Sequence, residues 1–112
     1  MSVRGQALLW LAQRVSAAVL GLCVVVHLIT MIYAVRGGLS AAEILSRTHG
    51  SFVWLTFYCV FVAAIAVHAP IGLRNVLSET LGCRGVGLDL AATAGGIALA
   101  WLGWRAALGV FF

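Results

Sequence analysis

The sequence predicts an all-α integral membrane protein with three transmembrane helices, and three observations carry that expectation. The 112 residues are 63% hydrophobic and only 9% charged, whereas an ordinary soluble domain is about 45–50% apolar and about 25% charged. The apolar residues gather into three stretches, residues 15–36, 52–76 and 88–111. Each is long enough for the roughly 20 residues that carry a helix across the hydrocarbon core. The few charges lie between these stretches or near their ends. Residues 1–112 form a single membrane domain with no internal repeat or low-complexity linker.

The chain opens with Arg4, Gln6, Trp10, Gln13 and Arg14 set among Leu and Ala. Such a segment reads as an interfacial lead-in that becomes a helix, with Trp10 at headgroup level. Met1 to Gln6 is too short and polar to head a cleaved signal peptide, and the apolar run behind it is too long for one, so the first span is expected to be retained. Gly37-Gly38 after Arg36 ends this helix. Ser40-Ala-Ala-Glu43 matches the S-x-x-E capping box and predicts a short surface helix over residues 41–47. Gly50-Ser51 leads into the second span. Pro70 removes a backbone donor near the end of that span and predicts a kink. Gly82, Gly85 and Gly87 make the next turn. The third span is rich in small residues, with Ala92, Gly96 and Ala100 spaced by four, and Ala91, Gly95, Gly103 and Ala107 on a second such row interrupted at Leu99. Faces of this kind let helix backbones approach closely in lipid. Packing within the chain and contact with another subunit both satisfy the pattern.

All seven cations are arginines. Arg4, Arg14, Arg74 and Arg84 fall on the side of the N-terminus, Arg36, Arg47 and Arg105 on the other, which places the N-terminus in the cytoplasm. The net charge of +4 reflects loop arginines that set orientation, and nucleic-acid binding is not expected. Cys23, Cys59 and Cys83 form no CxxC pair, so neither a disulfide nor a metal site is read from them.

Two histidines fall inside spans, where ionisable side chains are rare and usually functional. His68 stands near the end of the second run, in His68-Ala-Pro-Ile-Gly-Leu-Arg-Asn75. Gly72 follows one turn later and clears the face beside the imidazole for something flat. Arg74 can meet an anion at the membrane boundary. A metal ligand, a cleared face and an anion anchor within seven residues point to haem b and its propionates. His27 is a second candidate iron ligand, flanked by Val24, Val25, Val26, Leu28 and Ile29. At about 1.5 Å per residue, His27 lies roughly 20 Å from the inner boundary and His68 roughly 9 Å from it, which favours two haems over one. Each haem then needs a second axial ligand from elsewhere, making the chain part of a larger haem-binding bundle. His49 reads as an exposed loop residue.

The second element, His68-x-x-x-Gly72-x-Arg74, resembles the H-x-x-x-G-[IL]-R-H motif of the cytochrome b anchor subunits of succinate dehydrogenase and fumarate reductase. Arg14-Val15-Ser16 resembles the H-R-x-S-G element that opens the first span in the same subunits, and the resemblance covers essentially the whole chain. It implies that His68 ligates haem b, that His27 matches the first-helix ligand of two-haem anchors, and that Arg14 lies near the quinone and a propionate. It also implies a flavoprotein, an iron–sulfur protein and a second small anchor or second copy as partners, with ubiquinone or menaquinone as substrate. The expected location is a bacterial-type inner membrane. The chain departs from the family pattern in Gln13, Ala17 and Asn75, which replace the usual histidine, glycine and histidine. Trp10 stands where some relatives place a quinone-binding serine.

The expected function is a haem b anchor passing electrons between an iron–sulfur partner and quinone. His68 and His27 hold iron, with Gly72, Arg14 and Arg74 beside the cofactor. Arg14, Ser16 and Trp10 are the candidate quinone contacts. Dicarboxylate chemistry is not expected on a chain whose only acids are Glu43, Glu79 and Asp89. A cofactor-free assembly subunit is the alternative. A small oligomeric exporter fits less well, because proton coupling calls for an intramembrane carboxylate and none of the three acids falls deep inside a span, Asp89 standing at the very start of the third.

Overall fold

The computed structural model describes residues 2–112; Met1, the first residue of the short polar lead, lies outside the described residues. Four helices follow one another: α1 (Val3–Arg36), α2 (Ala41–Thr48), α3 (Phe52–Leu81) and α4 (Val86–Phe111). Among the described residues there is no strand. Three helices, α1, α3 and α4, are long and apolar enough to cross a membrane.

The expected interfacial lead-in is itself helical. Ser2 caps α1 by accepting a hydrogen bond from the Gly5 N–H at 3.1 Å, and the Leu- and Ala-rich residues behind it favour a helix. The second helix likewise runs past residue 76 to Leu81. Gly82 ends it in the left-handed conformation at φ 67°, which glycine adopts without a Cβ penalty. The hydrogen-bonded helix continues through Pro70.

The capping box before α2 forms in half. Ser40 Oγ accepts from the Glu43 N–H at 3.1 Å, but the Glu43 carboxylate takes the Arg47 Nη1 at 2.7 Å. Gly37 leaves room for that acid, since a Cβ there would lie 2.8 Å from Glu43 Oε1.

Helix α3 is central, with α1 and α4 both packed on it, while α2 rests against α4. The Gly50 N–H donates to the Phe111 carbonyl at 2.9 Å, tying the α2–α3 turn to the end of α4. The molecule is 49 Å long and 24 × 23 Å across, longer than the roughly 30 Å hydrocarbon core, so its ends reach the headgroups. The two readings of the small residues on α4 now separate. A Cβ on Gly96 would lie 2.5 Å from Pro70 Cγ, and one on Gly103 would lie 2.7 Å from Val62 Cγ2. These two glycines are spent on close packing within the chain, with Ala92 and Ala107 buried alongside. Gly95 meets nothing within 4 Å. Exposed Leu22, Val25, Trp101 and Leu102 cover the outside, as expected where the surrounding solvent is lipid.

Candidate functional site

The candidate residues collect along the seam between α1 and α3, which run antiparallel. Three contacts fix their register: Gln13 beside Gly72, Ser16 beside His68, and His27 beside Tyr58 and Phe61. Ser16 Oγ lies 3.4 Å from His68 Nδ1 and donates to the Gln13 carbonyl at 3.1 Å. Ser16 is 6% exposed, one of few buried polar residues among the described ones.

The room that Gly72 leaves is taken by a side chain of α1. A Cβ at Gly72 would sit 3.2 Å from Gln13 Nε2, so this glycine admits the Gln13 amide against α3. The Gln13 Oε1 is buried without a hydrogen-bond partner. Beside this contact, at the N-terminal end of α1, opens a pocket of about 370 Å³ lined by Gln6, Trp10, Gln13, Arg14, Arg74 and Asn75, with Leu9 and Ile71 as apolar walls. Arg14 lies over the Trp10 ring with its guanidinium carbon 5.2 Å from the centroid, a cation–π arrangement that holds both side chains at the rim. Arg74 joins the same pocket, and its Nε donates to Asp89 Oδ1 at 2.5 Å.

His27 lies deeper. From Ser16 to His27 along α1 is roughly 16 Å at about 1.5 Å per residue, so the two imidazoles sit at different levels of the seam. His27 meets Phe61 and Tyr58 edge-on, with ring centroids 5.4 and 6.1 Å away. Trp54 and Phe57 continue this aromatic cluster along α3. His27 Nδ1 is buried with no hydrogen-bond partner, a costly state for a ring nitrogen in apolar surroundings. Among the described residues no three His, Cys, Asp or Glu side chains come together as a metal cage. His68 and His27 stand as single imidazoles, one on α3 and one on α1.

The structure thus brings Trp10, Gln13, Arg14 and Arg74 to one pocket, and Ser16 and His68 to the adjoining part of the seam. It sets His27 apart from them. His49 is exposed, as its loop position predicts.

The model for the succinate dehydrogenase/fumarate reductase transmembrane subunit matches residues 1–112. The chain belongs to that family. Neither a curated protein nor a solved structure matches it. In this transmembrane subunit of a succinate dehydrogenase/fumarate reductase, the polar pocket lies between the N-terminal part of α1 and the C-terminal part of α3.

Some residues of this subunit's site carry no motif. Asp89 reaches Arg74 only because the Gly82–Gly85 turn folds α4 back along α3. Tyr58 and Phe61 face His27 by register alone, although Trp54, Phe57, Tyr58 and Phe61 recur at the three- and four-residue spacing of one helix face. At the far end, a second pocket of about 360 Å³ is lined by Val26, Ile29, Thr30, Tyr33, Arg47 and Trp54. Arg47 Nε is buried there without a partner.

Proposed function

We propose that this subunit is the haem b-binding anchor of a succinate:quinone oxidoreductase, holding the flavoprotein and iron–sulfur subunits at the membrane and passing electrons to or from quinone. The observation that carries the reading is the seam itself. It has two imidazoles at levels roughly 10–15 Å apart by the helical rise between His68 and the Phe61–Tyr58 level that meets His27, and a pocket with Arg14, Arg74 and Trp10 next to the shallower one. His68 and His27 would each hold one haem b. A second small anchor or a second copy of this chain would supply the remaining residue that holds each haem. Haem b held there by imidazoles would supply one-electron transfer.

The polar pocket serves the quinone. Arg14 offers charge-assisted hydrogen bonds to a carbonyl oxygen or a propionate, Trp10 packs on a flat ring, and Leu9 and Ile71 receive the apolar body. Arg74 adds a second cation at the rim. The arginine distribution supports a cytoplasmic position for this end, and a bacterial-type inner membrane is the location we propose, with the soluble partners docking on that side. Ubiquinone and menaquinone both present the carbonyls this pocket would bind.

The test compares the assembled wild-type complex with Arg14→Leu. Succinate-driven reduction of a soluble dye should be unchanged, and reduction of a short-chain quinone should fall by at least an order of magnitude. Equal quinone reduction by both forms would remove Arg14 from the quinone site.

A further inference from the structure

Ser16 is a candidate quinone contact from its place beside Arg14 in the sequence, but its surroundings point to other work. Its side chain is not among those lining the polar pocket, and the residue is 6% exposed. A serine hydroxyl has one proton to donate and two lone pairs with which to accept. Ser16 Oγ donates that proton to the Gln13 carbonyl at 3.1 Å, a back-bond within its own helix. His68 Nδ1 lies 3.4 Å from the same oxygen. With its proton committed, Oγ can only accept, so His68 Nδ1–H is the donor. A neutral imidazole carries hydrogen on one ring nitrogen only, and Nε2 therefore keeps its lone pair.

We infer that Ser16 is a positioning residue for His68, selecting the Nδ1–H tautomer and presenting Nε2 as the atom that ligates iron. The inference rests on His68 being a haem ligand. A hydrogen bond from the far N–H of a ligating histidine fixes ring orientation and raises ligand basicity. A more basic ligand favours ferric iron, so losing the bond should raise the midpoint potential.

Assembled complexes carrying Ser16→Ala and Ser16→Thr are compared with wild type by haem content, redox titration and quinone KM. The haem that depends on His68 is identified as the component lost in His68→Ala. Ser16→Ala should shift the midpoint of that component upward and leave the quinone KM unchanged. Ser16→Thr, which keeps the hydroxyl, should retain the wild-type potential. If Ser16→Ala assembles but loses that haem while Ser16→Thr keeps it, the same dependence on the hydroxyl appears at the level of binding. An unchanged potential in Ser16→Ala, an equal shift in Ser16→Thr, or a raised quinone KM at an unchanged potential would each overturn the inference. A wild-type complex without haem would instead defeat the functional reading, and the inference with it.

Discussion

Arg74 Nε donates to Asp89 Oδ1 at 2.5 Å, joining the C-terminal part of α3 to the first turn of α4. The pair links a residue of the polar pocket to a helix that does not line it. Asp89 is also well placed for the helix it begins, because a carboxylate in the first turn meets the positive end of the helix dipole. The side chains are 39% and 53% exposed, so the pair tethers the turn without contributing much to stability.

Replacing either partner should therefore cost little. Asp89→Asn and Arg74→Gln should each destabilise the subunit by at most about 1 kcal/mol, as exposed ion pairs do. The double variant should cost less than the two single losses combined, because each single change already breaks the pair. Denaturant titration of the detergent-solubilised complex, set out as a double-mutant cycle, measures this.

The α3–α4 contact should be far less tolerant. Gly96→Ala places a methyl 2.5 Å from Pro70 Cγ, against a ring that cannot rotate away, and overpacking of this kind typically costs about 1–3 kcal/mol. Gly95→Ala, one residue earlier with nothing within 4 Å, should be neutral. Thermal inactivation of the two variants side by side checks the contrast. Equal effects would mean that α4 packs through a different face.

Gly72 offers a milder version of the same experiment. A Cβ there would meet the far end of the flexible Gln13 side chain at 3.2 Å. Gly72→Ala should assemble with a small loss of stability, and Gln13→Ala in the same chain should restore it. Persistence of the loss in the double variant would show that Gly72 answers to something other than Gln13.

The two histidines should be separable. His68→Ala and His27→Ala should each remove a different b-type component from the redox titration of the complex, because the seam holds the imidazoles at different levels. Loss of the same single component in both variants would contradict the two-haem arrangement.

Much of this site is legible in the sequence, and the reason is specific to lipid. A membrane span tolerates few polar side chains, so His27, His68, Arg14 and Arg74 stand out against apolar runs where they would be unremarkable in a soluble domain. Periodicity told less. The spans are apolar nearly all round, so the sequence could not say whether the small residues of α4 served this chain or another. Gly96 and Gly103 are assigned only by where Pro70 and Val62 lie. Register was equally hidden. That Ser16 falls beside His68 and Gln13 beside Gly72 follows from how α1 slides along α3, which no local motif records. The lead-in before Arg14 reads as an interfacial segment that becomes a helix, and the structure starts that helix already at Val3, capped by Ser2.

The central claim is that the α1–α3 seam carries haem b on His68 and His27, and it is tested most directly by a dithionite-reduced minus oxidised visible spectrum of the purified, fully assembled complex with haem quantified per chain. The account predicts a sharp b-type α-band and two haems for each complete anchor. An intact complex that shows no haem absorbance would contradict it.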